Sequence, residues 1–279
     1  MMLHGIRYFG GKSAKFRNGA GPWIAKMLPY RRMYVEPFAG MLGVLLQREK
    51  SRIELVNDRD GMISAFWECI RDYPDKLEWK FANAPIDRVL FNKSIEIKNK
   101  HLNGEDIDKV DLAFAVGVIL LYGFGGKNEG KGQGYCCIFP QPTFETAYKF
   151  SKRISLLHKR IIDVRVENCD VLEILDKTKK HSDCVVYCDP PYLQARSGYS
   201  AGLDCKQELV DMLKAQNGAV AISGYNDDWD DLDWYKETKR VKTTVAGMAG
   251  DNFENVEMVR METIWSNYKL VKNKSLLDL

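Results

Sequence analysis

Apolar positions change their period twice along this chain. Near the start, short apolar runs at Met33-Tyr34-Val35-Glu36 and Ile53-Glu54-Leu55-Val56 read as strands. A Gly-rich entry loop and a helix precede the first run, and a Gly-containing turn and a short helix are expected between the two. Strand, turn, helix and strand in that order make a βαβ unit, which sets the turn at the carboxyl edge of a parallel sheet. From about 62 to 160 the period lengthens to that of helices: Ile63, Phe66, Trp67 and Ile70 fall on one face, as do Ala147, Phe150, Ile154, Leu157 and Ile161. The unbroken run Leu112 to Tyr122 predicts a buried helix, and it is too short to cross a bilayer. Between the last two helices, the stretch from Gly123 to Tyr135 carries so many glycines that a mobile basic loop is expected.

Beyond 160 the α/β alternation returns. Strands are predicted at Asp163–Glu167, Cys184–Cys188 and Ala219–Ser223, and later near Lys239–Thr244 and Glu262–Ser266, with a helix at about Lys206–Ala215. A helical block interrupting an α/β sheet predicts an inserted domain, residues 62–160, within a domain formed by 1–61 and 161–279. No internal repeat is found, and the tail from Lys272 is expected to fray.

Composition changes this picture little. The 279 residues are 45% hydrophobic and 28% charged, ordinary for a soluble globular protein. A net charge of +3 permits a polyanionic partner without demanding one. The N-terminus has no apolar core before a cleavage site, so no secretory signal is expected. Seven scattered cysteines and four histidines do not fall at zinc spacing, so no metal is expected and the thiols read as reduced intracellular ones.

The candidate chemistry begins at Val185-Val186-Tyr187-Cys188-Asp189-Pro190-Pro191-Tyr192. An apolar strand ends on Asp-Pro-Pro-Tyr, which puts the tetrapeptide where open α/β sheets hold ligands. Two prolines remove backbone donors and stiffen the turn. A carboxylate, carbonyl oxygens and an aromatic face remain, a set of acceptors suited to an amino group on a planar ring. Such acceptors can reorient the delocalised lone pair of an exocyclic amine toward an electrophilic methyl group. A rigid Pro-Pro turn with an Asp cap is the plainer alternative.

Three further features belong beside it. Glu36-Pro37-Phe38-Ala39-Gly40 places a carboxylate at a strand end before a small-residue turn, which lets a cofactor approach the backbone. About twenty residues on, the next strand ends in Asn57-Asp58, a position from which an acidic side chain grips ribose hydroxyls; Asp58 also suits the N-cap of a helix starting near Gly61. Asn168-Cys169-Asp170 again ends a strand on a carboxylate, and helix capping is the commoner use of such an Asp. The N-terminal Arg7-Tyr8-Phe9-Gly10-Gly11-Lys12 lacks Walker spacing, and by itself reads as a basic N-terminus.

Taken in order, Tyr-Phe-Gly-Gly-Lys, Glu-Pro-Phe-Ala-Gly, Asn-Asp, an insert, Asp-Pro-Pro-Tyr, Ala221-Ile222-Ser223-Gly224-Tyr225 and a closing Glu262-Thr263-Ile264-Trp265-Ser266-Asn267 resemble the Dam-type DNA adenine methyltransferases over nearly the whole chain. The resemblance implies a Rossmann-like class I S-adenosylmethionine-dependent methyltransferase sheet with an inserted, mostly helical target-recognition domain. It implies that Tyr8, Lys12, Asp58 and Asp189 contact S-adenosylmethionine beside the turn of Glu36, Pro37, Phe38, Ala39 and Gly40, with Asp170 near the cofactor adenine. Asp189, Pro190, Pro191 and Tyr192 would hold the target adenine, and Lys127, Asn128, Lys131 and Tyr135 would contact double-stranded DNA. Lysines stand in that loop where the family commonly has arginines, and lysine does not give the bidentate contact that reads guanine, so a GATC site is not carried over.

The expected activity is therefore methyl transfer to adenine N6 of a base flipped out of the duplex. A cytoplasmic, nucleoid-associated enzyme of a bacterial or phage-infected cell is expected, with or without a restriction-modification partner. Cys188 reads as a strand residue rather than a nucleophile. Lys149, Lys152, Arg153, Lys159 and Arg160 on one helix read equally as phosphate contacts or as a solvated face. The alternatives are an amino-methyltransferase acting on cytosine N4 or RNA adenine, and an inactive DNA-binding homologue. The DNA site and the oligomeric state are not readable from the sequence.

Overall fold

A computed structural model describes residues 3–6, 8, 11–12, 19–123, 134–135, 145–191, 206–225, 227–246 and 255–270, with backbone alone for 242–246 and 255–260. The elements in chain order are α1 (Ala20–Met27), β1 (Met33–Glu36), β2 (Ile53–Asn57), α2 (Gly61–Asp72), α3 (Pro74–Ala82), α4 (Arg88–Leu102), α5 (Lys109–Tyr122), α6 (Ala147–Ile161), β3 (Arg165–Glu167), α7 (Val171–Thr178), β4 (Cys184–Cys188), α8 (Lys206–Lys214), β5 (Ala219–Tyr225), β6 (Tyr235–Ala246) and β7 (Asn255–Ser266).

The strands form one seven-stranded sheet in the order β3-β2-β1-β4-β5-β7-β6. The first five in that order are parallel, and β7 lies antiparallel between β5 and β6. From β1 the chain winds outward through β2 and β3, then returns to the other side of β1 for β4 and β5. The reversal sits between β1 and β4, so the ligand crevice of such a sheet opens at their carboxyl ends.

Side chains alternate between two cores, as strand geometry requires. Tyr34, Val56, Val185, Tyr187 and Ala221 face a cluster that continues into α1, α2, α5 and α6 through Ile24, Phe66, Val116 and Phe150. Val35, Val186, Cys188, Val220 and Ile222 face the other cluster, with Ile174 of α7 and Leu209 of α8. β4 is buried along its full length, which accounts for its uninterrupted Cys-Val-Val-Tyr-Cys. The starts of α2, α4, α5 and α6 are fixed by side-chain caps: Asp60 accepts from Met62 N, Asp87 from Leu90 N, Asp108 from Val110 N and Thr146 from Lys149 N. The apolar run at 112–122 is indeed the buried part of α5. Among the described residues no helix is long and apolar enough to cross a membrane.

Two local features depart from the sequence expectations. The short helix expected between β1 and β2 is only a single 3-10 turn, Leu45–Gln47. Left-handed backbone at Gly40 (φ 45°) and Leu42 (φ 53°) prevents a helix from starting there. The stretch is held by bonds to neighbouring elements: Ala39 N donates to Asn57 O at 2.8 Å, and Trp67 Nε1 to Gly40 O at 2.8 Å. The last two strands are also longer than expected. β6 and β7 pair from Tyr235 opposite Ser266 to Ala246 opposite Asn255. Only Glu262–Ser266 of β7 also pair with β5, where Tyr225 opposes Glu262. The rest of the hairpin therefore runs past the carboxyl edge of the parallel strands.

Candidate active site

Three neighbouring strands deliver carboxylates to that edge: Glu36 closes β1, Asp58 follows β2 and Asp189 follows β4. They sit on both sides of the reversal point. Parallel pairing of Val186 with Val220 and of Cys188 with Ile222 carries Asp189 and Ser223 out side by side.

Asp189 is held by two donors that share one oxygen. Lys12 Nζ lies 2.7 Å from Asp189 Oδ1, and Ser223 Oγ donates to the same Oδ1 at 2.9 Å. No donor to Oδ2 is found among the described residues. Lys12 is buried and also pairs with Glu262 of β7 at 3.0 Å. Tyr187 OH lies 2.9 Å from Ser223 Oγ, and both groups are buried. Pro190, next in the chain, is buried, and Pro191 is half-buried.

Glu36 is buried, and its Oε2 accepts from Tyr34 OH at 2.8 Å and from Leu45 N at 3.2 Å. Burial, which disfavours charge, pushes its carboxyl up to about 8; the Tyr34 hydroxyl opposes this and nearby Asp189 adds to it. Pro37, Phe38 and Ala39 continue into the turn, with Phe38 against the second core. At Gly40 a Cβ would stand 3.5 Å from the Tyr8 ring, so Tyr8 covers the turn. Asp58 ties this turn to the next strand: Oδ2 accepts from Gly40 N at 2.8 Å, and Oδ1 from Asp60 N at 2.9 Å. Burial raises its carboxyl to about 6. Asp58 is therefore not the N-cap of α2; Asp60 is.

Asp170 caps α7, accepting from Leu172 N, and lies exposed beyond β3. Asn57 joins this segment to the turn after β1, donating to Pro37 O and Cys169 O, each at 3.1 Å. Tyr192, Lys127, Asn128 and Lys131 lie outside the described residues. Tyr135 is described and packs on α4, its ring 5.6 Å from Phe91 with the Arg88 guanidinium 5.2 Å above it. Burial, then the nearby Asp189 and Glu36 carboxylates, drive the Cys188 thiol far up, which makes it a poor nucleophile.

The basic run on α6 divides. Arg153 is buried and pairs with Glu145 while donating to His4 O. Arg160 Nη1 lies 2.5 Å from Glu54 and Nη2 donates to Leu45 O at 2.9 Å. These two are structural, which corrects their candidacy as phosphate contacts; Lys149, Lys152 and Lys159 stay exposed.

Sequence reasoning gave no role to Ser223, Tyr187 or Glu262. All three lie on predicted strands beside conspicuous motif residues, but which residue of one strand reaches which residue of another depends on register. A single sequence does not print that.

The residues at this edge fit S-adenosylmethionine. The turn at Gly40 carries no side chain beneath the Tyr8 ring, and carboxyl groups at adjacent strand ends suit hydroxyls and an amino group. A family model described as D12 class N6 adenine-specific DNA methyltransferase matches residues 8–205. A search of the curated proteins found no match. Among solved structures, an S-adenosylmethionine-dependent methyltransferase from Agrobacterium tumefaciens is 12% identical with a TM-score of 0.27, aligned over 43% of this chain and 45% of that one. Precorrin 8W decarboxylase from Methanobacterium thermoautotrophicum is 10% identical with a TM-score of 0.33, over 87% of this chain and 84% of that one. At such TM-scores neither likeness bears on function. The family match spans both halves of the crevice, from Tyr8 and Lys12 through Glu36 and Asp58 to Asp189. The chain belongs to the D12 class N6 adenine-specific DNA methyltransferase family, Rossmann-like class I enzymes that use S-adenosylmethionine as methyl donor and DNA as substrate.

Proposed function

We propose that this chain methylates N6 of an adenine flipped out of double-stranded DNA, with Asp189 Oδ2 and the Pro190 carbonyl accepting the two amine hydrogens. The observation that carries this is the division of labour within Asp189. Lys12 and Ser223 both occupy Oδ1, and no described residue donates to Oδ2. A carboxylate pinned by one oxygen presents the other in a fixed direction.

S-adenosylmethionine, when bound, supplies an electrophilic methyl group on a sulfonium. The exocyclic nitrogen is a weak nucleophile because its lone pair is shared with the ring. Asp189 Oδ2 and Pro190 O draw on its N–H bonds and turn the lone pair out of the ring plane. When the nitrogen gains the methyl group it must shed one proton, and Asp189 Oδ2 already accepts a hydrogen bond from it. Pro190 and Pro191 offer no competing backbone N–H and hold the loop stiff. Tyr192 stacks on the base. The Glu36–Gly40 turn, Tyr8 and Asp58 seat the cofactor, and Asp170 stands near its adenine.

Residues 1–61 and 161–279 carry this chemistry, and 62–160 recognise DNA. Lys127, Asn128, Lys131 and Tyr135 contact the duplex, with Lys149, Lys152 and Lys159 adding phosphate contacts. The enzyme works in the cytoplasm of a bacterial or phage-infected cell, where its DNA lies.

The test is methylation of mixed-sequence duplex DNA by the purified protein, followed by base-resolved mapping of N6-methyladenine. Asp189→Ala and Asp189→Asn should both reduce transfer below detection while leaving the melting profile folded. Near-normal transfer by either variant sinks the assignment of Asp189, and methylation confined to cytosine sinks the adenine reading.

A further inference from the structure

We propose that Ser223, backed by Tyr187, is the positioning residue that sets the orientation of the Asp189 carboxylate; the proposal rests on the methyl-transfer reading above. Ser223 Oγ donates to Asp189 Oδ1, and a serine hydroxyl has only one proton to give. The bond between Tyr187 and Ser223, which the geometry alone leaves open in direction, is thereby fixed. Tyr187 donates to Ser223, and Ser223 to Asp189. The Tyr187 hydroxyl keeps its proton for this task, because burial foremost, and then the Asp189 charge, raise it well above the ordinary tyrosine value.

The two donors on Oδ1 do different work. The Lys12 ammonium is a compact charge with rotatable hydrogens, so it fixes where Oδ1 sits without fixing the plane of the carboxyl group. Ser223 stands fully buried on a central strand, and its short side chain gives a directional bond along a set line. Position from Lys12 and direction from Ser223 together decide where Oδ2 points. Tyr187 lies on β4 two residues before Asp189, and its hydroxyl keeps the Ser223 hydroxyl turned toward the carboxylate. A chain of this kind also polarises each successive bond, strengthening the last one.

The test compares wild type, Ser223→Ala, Tyr187→Phe and the double variant in single-turnover methylation, cofactor titration by calorimetry, and thermal melts. Ser223→Ala should lower the transfer rate about tenfold, the scale of one hydrogen bond to a charged group. Its affinity for S-adenosylmethionine should stay within about twofold. It should also melt lower, because the buried Tyr187 hydroxyl loses its acceptor. Tyr187→Phe keeps the Ser223 donor, so its rate should fall by about threefold or less. The double variant removes the stranded hydroxyl as well, so its melting temperature should recover while its transfer rate stays low.

A double variant that regains both stability and rate makes Ser223 merely structural and overturns the proposal. So does a Ser223→Ala variant whose rate loss is matched by lost cofactor affinity. Absence of methyl transfer by the wild type is a different failure: it removes the functional reading and this role with it. A wild type that methylates alongside a double variant of equal rate removes the positioning role alone.

Discussion

Glu36 is a carboxyl group that the fold holds protonated around neutrality, since burial raises it from an ordinary 4.5 to about 8. Folding therefore binds a proton that the unfolded chain releases across that interval. The associated stability is fully present below about 4.5 and is lost as pH rises through about 8. Asp58, raised from 3.8 to about 6, acts in the same direction over a lower window, so the slope above pH 6 belongs chiefly to Glu36. Urea midpoints of the wild type should fall between pH 6 and 9, and Glu36→Gln should flatten that fall. An unchanged slope in the variant would show that Glu36 is not the group that titrates. Glu36 could be picked out from the sequence as a carboxylate at a strand end. Its protonation could not, because that follows from its burial and the nearby Asp189 charge outweighing the Tyr34 and Leu45 donors that meet one oxygen. Lys12 and Asp189 are legible as motif residues in the same way, whereas Ser223 becomes visible only when β4 and β5 are in register.

On α6 the apolar stripe of Ala147, Phe150, Ile154, Leu157 and Ile161 was legible, and all five are buried. The fate of its cations was not, because Arg160 meets Glu54 across 106 residues of chain. Cutting one side of a buried ion pair leaves a desolvated charge and costs about 3–5 kcal/mol. Arg160→Ala should therefore destabilise the protein by about 3 kcal/mol in denaturant titration. Lys149→Ala, Lys152→Ala and Lys159→Ala should each cost less than about 0.5 kcal/mol. Together they should shallow the salt dependence of DNA binding, since each phosphate contact releases counterions. A full salt slope in the triple variant would remove α6 from the DNA contact. The turn after β1 shows the opposite kind of illegibility. Its small residues signalled a ligand-binding turn, but positive φ at Leu42, a residue type that seldom adopts it, could not be foreseen.

At the level of the sheet, the alternation of apolar runs located the strands, and the switch between periods located the helical block. Strand order is a different kind of information. Nothing in the period says that the chain returns beside β1 for β4, or that β7 enters between β5 and β6. The late hairpin was underestimated for a related reason. Tyr-Lys-Glu-Thr-Lys-Arg-Val-Lys-Thr-Thr-Val-Ala has few apolar positions to alternate, as befits an edge strand paired with β7 alone.

That geometry divides the hairpin into two regimes. The inner rungs, Tyr235 opposite Ser266 to Lys239 opposite Glu262, are continuous with β5. The seven outer rungs, Arg240 opposite Met261 to Ala246 opposite Asn255, are paired only with each other among the described residues and reach about 24 Å at a strand's rise per residue. Two-stranded ribbons are marginal alone, so the outer rungs should open locally without the sheet unfolding. In deuterium, their amides should label within seconds to minutes while those of the inner rungs wait on global opening. The boundary between fast and slow labelling should fall just beyond Glu262, the residue that grips Lys12, and Val241, which is buried in the main core. Uniform protection along both strands would mean instead that something else clasps the ribbon. With fast labelling confined to the outer rungs, a protein whose chemistry rests on a rigid carboxylate carries readily deuterated strand ends a short way beyond its last anchor.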